Sequence, residues 1–300
     1  MDLKDCLVDG HDRIRMEDLA TSAGWDKSLK PKYVAKTAEN NQRMGELQDR
    51  LYADGHEGIV ILLQAMDAAG KDSTVKHVMS GINPQGVDVT SFKQPSSEEL
   101  AHDYLWRAAK ALPRRGKIAL FNRSYYEDVL VVRVHELQKG YAMPKRCVDM
   151  DPKEFFERRY RQISDFEEYL YENGYRVLKL FLNVGLDEQK ARFLDRIDDE
   201  SKNWKFSATD LKERALWPSY MQAYEDAING TATKHCPWYV LPADQKWVTR
   251  WLVSEAIVDV LEDCHPSYPT MPDEQKAHLE ECKAQLLATP KGKTVPDATA

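Results

Sequence analysis

The sequence predicts an α/β fold in which helices cover both faces of a parallel sheet. Five short runs of mostly apolar residues alternate with segments of helical periodicity. Runs of this kind are typical of parallel strands that are buried on both faces. They are Ile59–Ala65, Val87–Phe92, Lys117–Phe121, Tyr175–Leu182 and Trp238–Pro242. We therefore expect three layers, with a five-stranded parallel sheet between two layers of helices.

The chain of 300 residues is long enough for one large α/β domain with shorter additions. We predict a helical N-terminal extension over residues 1–57, the α/β domain over residues 58–265, and a peripheral helix with a disordered tail over residues 266–300. No apolar segment approaches the roughly 18 residues of a membrane-spanning helix. The five cysteines are scattered and form no Cys-x-x-Cys pair, which indicates a reduced, cytoplasmic protein.

The segment after the first strand carries the clearest functional pattern. Residues 66–74 read Met-Asp-Ala-Ala-Gly-Lys-Asp-Ser-Thr, and a helical pattern begins at Val75. A strand that breaks into a small-residue loop with Gly-Lys and then opens a helix is typical of phosphate binding. Backbone N–H groups, the helix dipole and the lysine all favour an anion there. The predicted phosphate-binding residues are Ala68, Ala69, Gly70, Lys71, Asp72 and Ser73.

This loop departs from the usual P-loop pattern at two positions. Ala65 stands where the first glycine is expected, and Asp72 stands where a hydroxyl residue is expected. A plain tight turn is the alternative interpretation, but the strand, loop and helix follow one another in the required order. We therefore predict a three-layer P-loop kinase-like fold with ligands at the carboxyl ends of the strands.

A basic stretch interrupts an otherwise acidic protein. The net charge is −7, yet six cations and no acid occur between Asp103 and Glu127. A solvated helix face is the alternative, but such faces usually mix signs, so the stretch favours anion binding. The overall charge argues against broad nucleic-acid binding. We predict that a cationic strip of five residues binds a polyanion, and its members are Lys93, Arg114, Arg115, Lys117 and Arg123.

The end of the third strand is predicted to carry part of the catalytic group. Asn122 and Arg123 follow the strand, and Glu127 lies about one helical turn further on. An arginine beside a transferring phosphoryl group can neutralise charge that develops on its oxygens. A surface ion pair is the alternative role for Arg123.

A basic segment after the fourth strand is predicted to form a lid over residues 192–208. Phosphotransferases use such lids to exclude water and to clamp phosphates. The alternative is simple pairing within a helix, for example of Glu188 with Arg192. The predicted lid cations are Arg192, Arg196, Lys202 and Lys205.

Four motifs taken together resemble the polyphosphate kinase 2 family, over about residues 30–265. The motifs are Met66-Asp67-Ala68-Ala69-Gly70-Lys71, Ser91-Phe92-Lys93, Phe121-Asn122-Arg123-Ser124-Tyr125-Tyr126-Glu127 and Asn203-Trp204-Lys205-Phe206-Ser207. The resemblance implies reversible transfer of the terminal phosphoryl group of inorganic polyphosphate to a nucleotide. It also implies Mg²⁺ as cofactor, with Mn²⁺ as a possible substitute, and a homotetramer or homodimer.

The same resemblance implies roles for individual residues. Asp67, Lys71 and Arg123 match functional positions of the family. From its position one helical turn after Arg123, we predict that Glu127 is catalytic as well and that it binds the metal ion together with Asp67. Family members that act on nucleoside diphosphates tend to carry Asp before that Arg and Asn four residues after it. This chain has Asn122 and Glu127 instead, which implies that it accepts both AMP and ADP. The expected partners are thus polyphosphate and adenine or other purine nucleotides, with neither nucleic acid nor membrane.

Two other functions remain open at the level of sequence. An ATP-dependent nucleotide or small-molecule kinase would also need a phosphate loop and a lid, but it would need no long cationic strip. A non-catalytic anion-binding protein would have to tolerate Asp67, Glu127 and Asp128 at the phosphate site. Those acids would repel its ligand unless a metal ion intervened.

Overall fold

A six-stranded sheet forms the centre of the computed structural model, which describes residues 1–292. The strands are β1 (Leu7–Val8), β2 (Gly58–Ala65), β3 (Val87–Ser91), β4 (Ile118–Asn122), β5 (Tyr175–Asn183) and β6 (Trp238–Pro242). Their order across the sheet is β1-β6-β5-β2-β4-β3. The five longer strands are parallel to one another, whereas β1 runs antiparallel to β6.

The five strands predicted from the sequence are all confirmed, but the predicted strand count was wrong. The sixth strand, β1, pairs Leu7 with Tyr239 and Val8 with Trp238 at the edge of the sheet. Two residues are too few to show the period-two pattern by which strands are recognised. The sheet is therefore mixed rather than wholly parallel.

Helices cover both faces of this sheet. They are α1 (Lys30–Asp54), α2 (Lys71–Val78), α3 (Ser97–Leu100), α4 (Trp106–Lys110), α5 (Val131–Val134), α6 (Lys145–Val148), α7 (Pro152–Glu172), α8 (Leu186–Asp198), α9 (Ala208–Ala215), α10 (Trp217–Thr231), α11 (Lys246–Asp263) and α12 (Asp273–Ala288). From β5, Lys179 bonds to Glu167 of α7, and Phe181 packs on Tyr224 of α10. Successive strand residues point to opposite faces of a sheet. Leu180, between Lys179 and Phe181, therefore points to the other face, which α2 and α11 cover. The predicted three layers are confirmed.

The N-terminal segment is part of the domain core rather than an extension of it. In α1, Met44 and Leu51 are fully buried, and this helix packs along α11. The ring of Tyr33 meets the ring of Trp251 at 4.7 Å. Core residues therefore lie on both sides of the predicted boundary at residue 58. Before α1, the chain forms β1 and three one-turn helices.

The C-terminal part contains the predicted peripheral helix, α12, none of whose residues is buried. The predicted disordered tail lies largely outside the described residues, which end at residue 292. Over those residues, no helix combines the length and the apolar character that crossing a bilayer would require.

Candidate active site

The carboxyl ends of β2, β4 and β5 lie at one edge of the sheet, and the residues that follow β2 and β4 line a cavity of about 400 Å³. Residues 67–73, which follow β2, form one wall of this cavity. Asn122 and Arg123, which follow β4, form another wall. We call this space the phosphate cavity. The structure thus brings together the two strand ends that the sequence pointed to.

The backbone of the loop at residues 67–70 is held in a fixed, partly strained shape. Gly70 has φ +105° and Ala68 has φ +62°, a region that costs a residue with a Cβ atom about 1–2 kcal/mol. The Gln189 amide donates to the Asp67 carbonyl at 2.9 Å. The Arg192 guanidinium donates to the carbonyls of Ala68 and Ala69 at 3.1 and 2.6 Å. These bonds fix the loop before any ligand binds.

Lys71 opens α2 and folds back over the loop. Its Nζ donates to the Ala65 carbonyl at 2.8 Å, and the residue also lines the phosphate cavity. Burial, reinforced by the charge of Arg123, lowers the pKa of Lys71 to about 8. With a pKa of about 8, Lys71 is mostly protonated at pH 7, and an anion bound beside it would favour the charged form further.

Arg123 lies between two carboxylates and joins the loop to the segment after β4. Its guanidinium contacts Asp67 Oδ1 at 3.0 Å and Glu127 Oε2 at 3.1 Å. Glu127, followed by Asp67, holds the pKa of Arg123 well above its ordinary value. The backbone of Arg123 is itself unusual, with φ +64°, and its N–H donates to the Leu63 carbonyl at 3.1 Å. A non-glycine residue in this region stores about 1–3 kcal/mol of strain.

Glu127 is fixed from the side opposite Arg123. The amide of Gln64, turned with its NH₂ group toward Glu127, donates to Oε1 at 3.0 Å, and its carbonyl accepts from Ser124. Gln64 and Ser124 are both fully buried. The side chain of Glu127 is therefore presented at one defined position next to Arg123.

Asp67 and Glu127 can bind a metal ion, but only together with ligands that a substrate or water supplies. Within residues 1–292, no group of three or more His, Cys, Asp and Glu side chains is placed to hold a metal ion. Mg²⁺ is usually held by one or two carboxylates together with substrate phosphates and water. Asp67 and Glu127 can supply the carboxylates, whereas Asn122 is directed to Asp72, to which its amide donates at 3.0 Å.

The predicted lid divides into a fixed part and an exposed part. Arg192 is only 5% exposed and is bound to Glu188, to the loop carbonyls and to the Ala243 carbonyl. The expectation that Arg192 moves with a lid was therefore wrong, because it is a fixed support of the loop. Arg196, Lys202 and Lys205 also line the phosphate cavity, and their segment can serve as a lid.

Three of the five residues of the predicted cationic strip do not lie beside the phosphate loop. Arg114, Arg115 and Lys117 precede β4, which pairs in parallel register with β2 from Ile59↔Ile118 onward. They therefore lie at the amino end of β2, whose eight residues place the loop roughly 23 Å away. Lys117 is near Asp88, at 3.8 Å, and Arg115 donates to the Asn173 carbonyl. The prediction was wrong because Arg114, Arg115 and Lys117 are close to Arg123 in the sequence but lie at the opposite end of β4.

Lys93 has a different position from the other members of that strip. It follows β3 at the carboxyl edge of the sheet, and its carbonyl accepts from Arg107 at 2.8 Å. The lining of the phosphate cavity, formed wholly by described residues, does not include it.

Sequence reasoning missed cations on α11. Lys246 lines the phosphate cavity, and Arg250, one turn later, donates to the Ser73 hydroxyl at 3.1 Å. Burial, with the charge of Arg192, lowers the pKa of Lys246. A signal was available, because both residues follow β6 and a strand of a parallel sheet delivers its next residues to the same edge as the loop. The acids Asp195 and Asp210 of the lining were missed as well.

A second, smaller cavity of about 240 Å³ adjoins the phosphate cavity and shares Asp67, Arg123 and Asp210 with it. Its walls include apolar and aromatic side chains, Leu130, Val131, Tyr220 and Tyr224. We call it the side cavity. A phosphoryl group could pass between ligands in the two cavities only at their junction, where Arg123 lies.

A family model described as polyphosphate kinase 2 matches residues 27–269. The chain belongs to the polyphosphate kinase 2 family. It is 45% identical over 270 residues to an ADP-polyphosphate phosphotransferase of Rhodopseudomonas palustris, an alignment that covers 88% of this chain and 93% of the relative. It is 46% identical over 229 residues to an AMP/ADP-polyphosphate phosphotransferase of Meiothermus ruber, covering 76% of this chain and 81% of the relative.

A solved polyphosphate kinase 2 from Arthrobacter aurescens superposes with a TM-score of 0.76 at 38% identity. The superposition covers 89% of this chain and 97% of that one. The resemblance predicted from four short motifs is therefore confirmed, and so is the three-layer fold. For this member of the polyphosphate kinase 2 family, the geometry now gives two predictions about anion binding.

The first prediction concerns the charge of Lys71, whose pKa is lowered to about 8. Inorganic tripolyphosphate, used as a probe, should bind the unsubstituted protein and Lys71→Arg, which keeps the charge, with a constant ratio of affinities below about pH 8. Above it, the affinity should fall by up to tenfold per pH unit, because binding must then restore a proton to Lys71. Calorimetry at several values between about pH 6.5 and 9.5 measures both the loss of affinity and the number of protons taken up on binding. Lys71→Arg should remove this loss and keep only the pH dependence of the probe's own phosphates, and Lys76→Ala, an exposed change on the same helix, should leave the loss intact.

The second prediction compares a cation in the cavity with one outside it. Lys246→Ala should weaken tripolyphosphate binding at pH 7 and make it less sensitive to salt, since fewer ions are released on binding. Arg114→Ala should change neither quantity, because Arg114 lies at the opposite edge of the sheet. Binding constants at four salt concentrations measure both slopes. Equal slopes for the two variants would contradict the assignment of Lys246 to the anion site.

Proposed function

We propose that this protein transfers the terminal phosphoryl group of inorganic polyphosphate to AMP and ADP in a reversible reaction. The observation that carries the proposal is the junction of two cavities at Arg123. One cavity suits a chain of phosphates, and the other suits the nucleoside part of a nucleotide. Membership of the polyphosphate kinase 2 family and the printed activities of its relatives support the same reaction.

The charge of the phosphate cavity supports a polyanionic donor. Seven cationic side chains and four carboxylates line it, in a protein whose net charge is −7. The cations are Lys71, Arg123, Arg192, Arg196, Lys202, Lys205 and Lys246. They come from the loop, the end of β4, α8, the lid segment and α11. A donor that extends beyond two or three phosphates could use cations on all of these elements.

The side cavity supports a nucleotide as acceptor. Its aromatic and apolar residues can cover a nucleoside, and the end that it shares with the phosphate cavity, at Asp67 and Arg123, would receive the acceptor phosphate. AMP and ADP differ only in how far their phosphates reach from this end. We therefore propose that both are accepted, in line with the printed name of the Meiothermus ruber relative.

The transfer itself is proposed to be direct. An oxygen of the acceptor phosphate attacks the terminal phosphorus of polyphosphate, a new P–O bond forms, and the P–O bond to the shortened chain breaks. The acceptor oxygen is already ionised at neutral pH, so no general base is required. Arg123 and Lys71 neutralise charge on the transferring and leaving oxygens, and the loop holds the donor in line.

A divalent cation, Mg²⁺ or in its place Mn²⁺, is part of the proposal. Asp67 and Glu127 would hold it, and phosphate oxygens would complete its ligands. When bound, the ion would neutralise phosphate charge that two carboxylates would otherwise repel. We further propose that the protein acts in the cytoplasm, which its five free thiols support, and that it forms a homotetramer or homodimer.

A phosphoryl-donor screen tests the proposed function. Purified protein with Mg²⁺ is given AMP or ADP as acceptor, and either long-chain polyphosphate or ATP as donor, and the products are separated by chromatography. With polyphosphate as donor, we expect rapid formation of ADP from AMP and of ATP from ADP. With ATP as donor and AMP as acceptor, we expect slow transfer or none. A faster reaction from ATP would identify an ATP-dependent kinase instead, and polyphosphate binding without transfer would identify an anion-binding protein. Asp88→Asn, at the far edge of the sheet, serves as an unaffected control.

A further inference from the structure

A fully buried ion pair lies under β5, away from both cavities. The Lys179 ammonium contacts Glu167 Oε2 at 2.6 Å, and the two side chains are 0% and 1% exposed. Taking two charges out of water is expensive, and a buried pair can often be replaced by apolar residues without loss of stability. Stability alone is therefore a weak explanation for this pair.

The pair is the centre of a hydrogen-bond network with the residues around it. Lys179 Nζ also donates to the Thr231 carbonyl at 2.7 Å. Glu167 Oε1 accepts from the Tyr125 and Tyr126 hydroxyls at 2.8 and 2.9 Å. Lys179 Nζ lies 3.3 Å from the Tyr126 hydroxyl as well. Both tyrosine hydroxyls are thus held by one buried carboxylate, whose position the lysine fixes.

These two tyrosines occupy a decisive place in the chain. They lie between Arg123 and Glu127, in the one-turn helix Tyr125–Asp128 that follows β4. Arg123 faces the junction of the two cavities with a strained backbone, and Glu127 is its partner at 3.1 Å. A strained conformation persists only where the surrounding structure over-determines it. The hydrogen bonds from the Tyr125 and Tyr126 hydroxyls to Glu167 supply such a constraint.

We propose that Lys179 and Glu167 are positioning residues for phosphoryl transfer. They act through the Tyr125 and Tyr126 hydroxyls, which hold the turn that presents Arg123 and Glu127 at the junction. This inference rests on the proposed function, since it takes Arg123 to act at the transferring group. Neither Lys179 nor Glu167 touches a substrate in this arrangement.

Loss of the network should lower turnover without weakening polyphosphate binding. Lys71 and Lys246 belong to elements that the network does not touch, so polyphosphate should still bind when the network is removed. Arg123 would lose its defined position, and small misplacements of catalytic groups can lower rates about 100-fold. A purely structural role would lower the melting temperature and leave the turnover of folded protein unchanged.

The test uses two double variants that both remove the buried charges. Lys179→Met with Glu167→Leu removes the carboxylate that accepts from both tyrosine hydroxyls and leaves Tyr126 only Thr231 Oγ1 as an acceptor. The kcat with polyphosphate and AMP should then fall about 10–100-fold while KM for polyphosphate stays within about twofold. Lys179→Met with Glu167→Gln keeps an acceptor oxygen for the hydroxyls and should recover most of kcat. Rates are measured well below each melting temperature. Met44→Ala, a cavity-forming change in α1, is the control, with a lower melting temperature and normal kcat.

A third variant keeps the inference testable if a core substitution fails to fold. Tyr125→Phe with Tyr126→Phe leaves the ion pair in place and should lower kcat in the same way. In an Arg123→Ala background, it should lower kcat no further, because both changes remove the same contribution. Unchanged kcat in the Tyr-to-Phe variant, or fully additive losses, would overturn the inference. Absence of transfer by the unsubstituted protein would instead refute the proposed function.

Discussion

The contact of Arg123 with Asp67 and Glu127 is the interaction on which the site depends. One guanidinium ties the loop after β2 to the turn after β4, two segments that are 56 residues apart in the chain. It also lies where the phosphate cavity and the side cavity meet, and with Asp67 and Asp210 it lines both. Its one positive charge faces the two negative charges of Asp67 and Glu127. Phosphates can take the place of these carboxylates beside Arg123 without leaving unpaired charge in the site when a cation pairs with the carboxylates.

Several buried contacts serve this one arrangement from different sides. Arg192 and Gln189 hold the loop carbonyls from α8. Gln64 and Ser124 hold Glu127 from the strands. Strained backbone at Ala68 and Arg123 is the expected price of presenting these groups on tight turns. The site is therefore built largely before substrate binds, which suits a reaction whose catalysis is mainly positioning and charge neutralisation.

The sequence predicted the fold and the loop because both leave local signals. Buried parallel strands are continuous apolar runs, and a phosphate loop is a short segment with fixed order, so residues 66–74 and five of six strands could be found. The errors have one physical cause, which is that sequence distance is not spatial distance. Arg114 and Arg115 lie near Arg123 in the chain but at the other end of β4, whereas Lys246 is remote in the chain and adjacent in space. Arg192 was misjudged because its bonds are to backbone carbonyls, which no side-chain pattern reveals.

The central claim is that Arg123 acts on the transferring phosphoryl group rather than on binding alone. Its most direct test is the single-turnover rate of transfer from polyphosphate to ADP in Arg123→Ala, with both substrates saturating. Our account predicts a rate about 100–1,000-fold below that of the unsubstituted protein, with a dissociation constant for polyphosphate changed only a few-fold. A single-turnover rate within a few-fold of the unsubstituted protein, with the whole effect in the dissociation constant, would contradict it.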